Sequence, residues 1–395
     1  MQSRKPVAIL AITQLISWGM LYYAFGVLSA RIQAELALSA GQTFGAFSLS
    51  VLVAGLAATP VGIAIDRHGG RWIMVLGSLT AAAGLCLMAT ATSVVAYWMA
   101  WGVLGAAMSM TLYEAAFATL NRSLMAGAAK SISTVTLAGG LASTVFWPLT
   151  EALAARLGWR DTLMLYAAMQ LILCAPLHCL LGSSRQQRAD GAQHAGLTLP
   201  QAIRQPHFWL LASAFAVNAF IFSAFAVHLI RLIQALGHAT ALALFLAALI
   251  GPMQVAGRLI ERIWGAGRPP VVVGAYTFAA LPAALLALAL FGRQAHAVGL
   301  FCILYGLSNG VMTILRGTIP AAMFGRKEYG AISGALAAPA LLAKASGPLA
   351  FAMALQLADA QAMLIPLTGL SLVSFGLFLL SVRRSKTFGK ALAGL

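Results

Sequence analysis

Apolar runs of about 20 residues alternate with short polar connectors along the whole chain. A helix of about 20 residues crosses the ~30 Å hydrocarbon core of a bilayer. The pattern therefore predicts twelve spans, over residues 6–29, 42–65, 72–91, 95–119, 132–155, 161–182, 207–235, 239–260, 270–291, 296–320, 330–353 and 361–382. The first run has no small-residue cleavage site behind it and is followed by eleven more, so it reads as a retained helix rather than a signal peptide. The longest connector, 183–206, is polar and basic and divides six spans from six. The expected organisation is an N-terminal bundle (1–182), a linker (183–206) and a C-terminal bundle with a short tail (207–395).

Composition agrees with this pattern. Hydrophobic residues make up 61% of the chain and charged ones 9%, against roughly 25% charged residues in soluble domains, which excludes a soluble protein. The net charge of +16 would suggest a nucleic-acid partner if it were clustered. Its distribution argues otherwise. With a cytoplasmic N-terminus, eighteen Lys and Arg fall in cytoplasmic segments: Arg4, Lys5, Arg67, Arg71, Arg122, Lys130, Arg185, Arg188, Arg204, Arg258, Arg262, Arg268, Arg326, Lys327, Arg383, Arg384, Lys386 and Lys390. Five fall opposite: Arg31, Arg156, Arg160, Arg231 and Arg293. The positive-inside rule then puts both termini in the cytoplasm. The absence of organelle targeting signals points to a bacterial inner (cytoplasmic) membrane. Cys86, Cys174, Cys179 and Cys302 all lie in spans, where thiols pack as small apolar groups. Cys174, His178 and Cys179 share a single helix, a weak metal signal. No disulfide, metal or cofactor is expected.

The two halves repeat one another. Gly62, Asp66, Arg67 and Arg71 at the end of span two match Gly257, Glu261, Arg262 and Arg268 at the end of span eight, and Glu114 in span four falls opposite Arg316 in span ten. Internal duplication marks transporter folds with a substrate site near mid-membrane. The connector Gly62-Ile-Ala-Ile-Asp66-Arg67-His-Gly69-Gly70-Arg71 resembles the signature loop of the major facilitator superfamily, and Gly257–Arg268 resembles its second copy. The resemblance implies an all-α membrane fold of twelve helices in two pseudo-symmetric six-helix bundles, acting as a monomer. It also implies a cytoplasmic latch of Gly62, Asp66, Arg67, Gly69, Arg71, Glu261 and Arg262, with Asp66 pairing with a basic group such as Arg122. Span one, the single polar linker and a Lys halfway along span eleven resemble the monocarboxylate and oxalate/formate porters. The acidic residue those porters carry ahead of the span-one aromatic is missing, and the basic residue expected in span eight reads as absent. The exporter element G-P-x-x-G-G is also absent from span five.

Ionised groups at mid-bilayer cost ~3 kcal/mol on translocon scales, so those present are functional candidates. They are Glu114, Arg316 and Lys344, with His228 as a titratable fourth. Helical spacing puts Tyr305, Asn309, Met312 and Arg316 on one face of span ten, and Gln14, Trp18 and Tyr22 on one face of span one. Spans one, four, seven and ten line the cavity in the resembled superfamily. Lys344, Arg316, Asn309, Tyr305, Trp18, Gln14 and Tyr22 are the candidate substrate contacts. Tyr22 could equally anchor at the lipid interface, and His228 could be a packed histidine. Glu114, His228 and Arg316 are candidates for proton coupling or gating. Arg316, about one turn from the end of its span, could gate, bind substrate or snorkel to the surface.

Two cations and an imidazole against one carboxylate favour an anionic substrate. The resulting expectation is a secondary active transporter for a small, monocarboxylate-like organic anion, working by alternating access and coupled to protons or exchange. Its partners would be that small molecule and membrane lipid, with no nucleic acid. Transport of an amphipathic drug, siderophore or other toxic compound is the alternative. No paired catalytic carboxylates, H-E-x-x-H, G-x-S-x-G or phosphate-binding loop points to an enzyme.

Overall fold

The computed structural model describes residues 4–124, 127–182, 195–265, 267–354 and 360–385. Most of the expected linker, with Arg185 and Arg188, lies outside the described residues, as do Lys386 and Lys390 in the tail. The described residues form twelve long helices: α1 (Lys5–Glu35), α2 (Ala40–His68), α3 (Gly70–Ala89), α4 (Val94–Ser123), α5 (128–157), α6 (159–179), α7 (Pro206–Ala235), α8 (Thr240–Gly265), α9 (Pro270–Phe291), α10 (Ala295–Phe324), α11 (Tyr329–Ala354) and α12 (Ala360–Arg384). α5 and α6 belong to one helical run of 52 residues, Ala128–Cys179. That is more than twice the length of a single crossing. The run turns at Gly158, whose φ of 81° and ψ of 165° are open to a residue without a Cβ.

Local chemistry sets several of the boundaries. Ser39 and Gln42 form a reciprocal capping box at the start of α2. Gly69 (φ 86°) turns the chain between α2 and α3, and Gly325 (φ 82°) ends α10 after Phe324. Within the helices, π-helical turns interrupt α1 at Gly19–Tyr23, α6 at Gln170–Cys174 and α8 at Glu261–Gly265. α4 leaves helical geometry at Leu112 (φ −84°, ψ −164°).

Two compact units emerge. The first holds α1–α6 together with Arg326–Ala335, the opening of α11. The second holds α7–α10, the remainder of α11, and α12. Both use the same internal pairings: α3 on α4, α2 on α4 and α3 on α6 in the first, α9 on α10, α8 on α10 and α9 on α12 in the second. Even the small-residue contacts repeat. A Cβ at Gly105 of α4 would overlap Ser50 of α2, and one at Gly306 of α10 would meet the Ile250 carbonyl of α8 at 2.9 Å. In a bilayer, where burying apolar surface gives no driving force, such close backbone approach is a main source of helix affinity. Each unit has its own aromatic core, around Phe25, Phe47 and Trp101 in the first and around Phe225, Phe301 and Tyr305 in the second. Aliphatic side chains such as Leu56, Ile172, Ile263 and Ile365 point outward and are exposed, as a lipid-facing surface requires.

Candidate functional site

The signature connector is built around Asp66 at the end of α2. Its carboxylate accepts main-chain hydrogen bonds from Gly330 (2.9 Å) and Ala331 (2.8 Å) in the first turn of α11. Those amides have no partner within their own helix, and the positive end of the helix dipole favours a carboxylate there. The approach depends on glycine: a Cβ at Gly62 would overlap the Gly330 carbonyl, and one at Gly334 would overlap Ala58. Arg122, at the end of α4, donates to the main-chain carbonyl of Asp66 and lies within electrostatic range of its carboxylate. The carboxylate binds backbone amides, and the guanidinium binds the backbone beside it. Arg326 donates to the carbonyls of Asn121 and Leu124, closing the carbonyl end of α4 with a cation. Arg67 is exposed and Arg71 stacks over Trp72 at 4.7 Å. In the second unit Glu261 and Arg262 lie in the π-helical turn that ends α8.

The second cluster lies in the first unit where α1 faces the break in α4. Interrupting a membrane helix strands main-chain carbonyls, which other groups must satisfy. Gln14, fully buried, donates its Nε2 to the Thr111 carbonyl at 2.5 Å. One turn further on, Trp18 packs on Tyr113 (4.8 Å between ring centroids) and Tyr22 (5.2 Å), and Tyr22 meets Phe47 (5.2 Å). The π-helical turn Gly19–Tyr23 shifts the register of α1, and Gly19 accepts the Phe146 ring of α5 so closely that no Cβ would fit. Tyr22 is half-buried within this aromatic group and is not solely an interface anchor. The break in α4 also puts Glu114 in the first turn of the helical segment Tyr113–Ser123, where a carboxylate is stabilised. Glu114 and Asp66 both lie within electrostatic range of the buried Tyr329 at the start of α11.

The second unit holds the cations. Lys344 is half-buried, well inside α11. Arg316 is half-buried in α10, and the helix continues through Pro320 to Phe324. It therefore sits two turns from the helix end, not one, and further from a surface to which it could snorkel. The expected stripe on α10 divides. Asn309 and Arg316 are half-buried, whereas Tyr305 (3% exposed) joins the aromatic core and donates its hydroxyl to the Phe222 carbonyl at 2.9 Å. His228 is buried against Phe351, with ring centroids 5.3 Å apart.

Arg258 corrects the sequence analysis twice. Counted there with the cytoplasmic connectors, it lies inside α8, which runs on to Gly265; span eight therefore does carry a basic residue. It is 6% exposed, and its Nε and Nη1 are buried without a hydrogen-bond partner among the described residues. A buried intramembrane guanidinium with N–H groups to spare is a functional candidate. The signal was present, since 258 falls within the predicted span 239–260; proximity to Arg262 and Arg268 concealed it.

Twelve membrane helices in two repeated bundles, with broken helices and charged groups held inside them, define a transporter fold. The model for the Major Facilitator Superfamily matches residues 10–348, and the chain belongs to that superfamily of transporters. It is 25% identical over 348 residues to an uncharacterized 38 kDa protein in the 23S RNA operon of Thermoproteus tenax, covering 87% of this chain and 86% of that one. It is 24% identical to monocarboxylate transporter 13 of Rattus norvegicus over 318 residues, covering 75% and 73% respectively. The human organic anion transporter MFSD10 (TETRAN) has the same fold, with a TM-score of 0.70 and 19% identity over 96% of this chain and all of that one.

Proposed function

We propose that this transporter moves a small organic anion, of the monocarboxylate kind, across a bacterial inner membrane by alternating access, as a monomer with both termini in the cytoplasm. The observation that carries the reading is the charge inside the second unit. Arg258, Arg316 and Lys344 lie within three of its helices, and Glu261, at the end of α8, is the one carboxylate among its described residues. Cations held away from water attract a carboxylate strongly, and a guanidinium can grip it with two parallel hydrogen bonds. The names of the relatives, a monocarboxylate transporter and an organic anion transporter, support the same class. Lys344, Arg258, Arg316 and Asn309 are the proposed anion contacts. Gln14, Trp18 and Tyr22 are the proposed substrate contacts of the first unit, and Tyr305 packs in the aromatic core of the second. Glu114, in the first turn after the break in α4, is the proposed coupling group. His228 is a packing residue in this reading. The Asp66 latch, with Gly62, Gly69 and the start of α11, stabilises one end state.

The test is ligand-dependent thermal stabilisation of the purified protein across monocarboxylates, dicarboxylates, neutral solutes and cationic amphiphiles, followed by uptake into proteoliposomes with and without a pH gradient. Carboxylates should raise the unfolding temperature by mass action, and Lys344→Ala and Arg258→Ala should abolish the response. Stabilisation by cationic or neutral amphiphiles alone would refute the reading and turn attention to drug export.

A further inference from the structure

The first unit carries polar groups that its own packing does not satisfy. Gln14 spends its Nε2 on the Thr111 carbonyl, and this fixes the orientation of the amide, because a flipped side chain would set two oxygens against each other. Its Oε1 is then buried with no hydrogen-bond partner among the described residues. Four residues on, the Trp18 Nε1 is likewise buried without a hydrogen-bond partner among the described residues. Both side chains face the same short stretch of α4, Thr111 to Tyr113. One acceptor and one donor on neighbouring turns are the complement of a hydroxyl group, which donates once and accepts. The surroundings are aromatic: the Trp18 ring meets Tyr22 edge-on and Tyr113 at a tilt. Leaving such groups unmade is costly in a low-dielectric interior, and sites built this way discriminate strongly against a ligand lacking the hydroxyl.

We propose that this face of the first unit, at the break in α4, is a recognition subsite for a hydroxylated aromatic ring, and that the transported anion is a hydroxyaryl carboxylic acid. The ring stacks on Trp18 and Tyr22, and its hydroxyl donates to Gln14 Oε1 and accepts from Trp18 Nε1. The proposal rests on the organic-anion reading and narrows it to one chemical class. The site is the broken-helix geometry common among transporters, with the stranded carbonyl of Thr111 setting the orientation of Gln14.

The experiment measures binding of 2-, 3- and 4-hydroxyphenylacetate, phenylacetate, cyclohexylacetate and hexanoate to the full-length purified protein and to Trp18→Phe. That substitution keeps a ring and removes only the indole N–H and some area. In the wild type, one hydroxyphenylacetate isomer should bind about tenfold or more tightly than phenylacetate, the fold-change of one well-made hydrogen bond, and phenylacetate should bind more tightly than cyclohexylacetate. In Trp18→Phe the hydroxyl preference should collapse while the preference for an aromatic ring persists. Equal binding of all six acids would overturn the subsite and leave the organic-anion reading standing. A hydroxyl preference unchanged in Trp18→Phe would also overturn it. Binding of none of the acids would remove both the subsite and the anion reading on which it rests.

Discussion

Replacing Asp66 tests whether the signature connector works by capping a helix. In Asp66→Ala, the Gly330 and Ala331 amides lose the carboxylate that accepts from both, at 2.9 and 2.8 Å. Hydrogen bonds to a charged acceptor contribute about 1.5–3 kcal/mol each. Two give about 3–6 kcal/mol, and relief from holding a half-buried carboxylate away from water offsets several kcal/mol of that. The expected net loss is about 2 kcal/mol. Asp66→Asn keeps one neutral acceptor oxygen and loses the charge that faces the helix dipole, so it should fall between wild type and Ala, near 1 kcal/mol. Arg67 is exposed in the same connector, and Arg67→Ala is the control that should leave stability unchanged. The assay is thermal unfolding in one detergent, without substrate, followed by tryptophan fluorescence. An Asp66→Ala protein as stable as the wild type, or an Asn variant less stable than Ala, would refute the capping argument.

Three further outcomes follow from the geometry. Arg258→Leu should abolish carboxylate binding yet unfold at the same or a higher temperature, because it removes a buried guanidinium with unpartnered N–H groups; a strongly destabilised variant would show that Arg258 is structural. Gln14→Leu should cost about 1–3 kcal/mol by leaving the Thr111 carbonyl without its donor, read by thermal unfolding, with Gln14→Leu as stable as wild type counting against that bond. Gly62→Val should prevent accumulation of monodisperse protein, since even a Cβ would overlap Gly330; a normal size-exclusion peak with wild-type stability would mean α2 and α11 do not approach as described.

The architecture was legible because membrane spans advertise themselves: each apolar run had to be long enough to cross, and each polar connector short. The repeat was legible at the connectors through the two copies of the signature loop, and the fold carries it into the helices, where Gly105 against Ser50 is echoed by Gly306 against Ile250. The interruptions were not legible. Thr111-Leu-Tyr-Glu114 contains no Pro or Gly and reads as continuous helix, yet α4 breaks at Leu112 because a tertiary partner, the Gln14 amide, takes up a carbonyl that the break sets free. The π-helical turn of α1 has the same character. Gly19 is a weak local signal, and its role emerges only when Phe146 is packed against it.

The candidate site divides along the line between periodicity and depth. Helical spacing put Tyr305, Asn309, Met312 and Arg316 on one face correctly as geometry, but a face of an α-helix is wide enough to have one edge in the core. Tyr305 and Met312 occupy that edge, 3% and 1% exposed. Asn309 and Arg316 occupy the other. Depth was misjudged for the same reason at Arg258 and Arg316. A basic residue near the end of an apolar run is taken for a connector or a snorkelling group, although the helix continues past it, to Gly265 in one case and Phe324 in the other. Hydropathy averages end a span at its first charges, whereas main-chain hydrogen bonding ends it where a glycine or a cap allows. The residues stranded between those two limits are charged, sit inside a helix and are held away from bulk water. That is where a transporter can best place the groups that recognise its substrate.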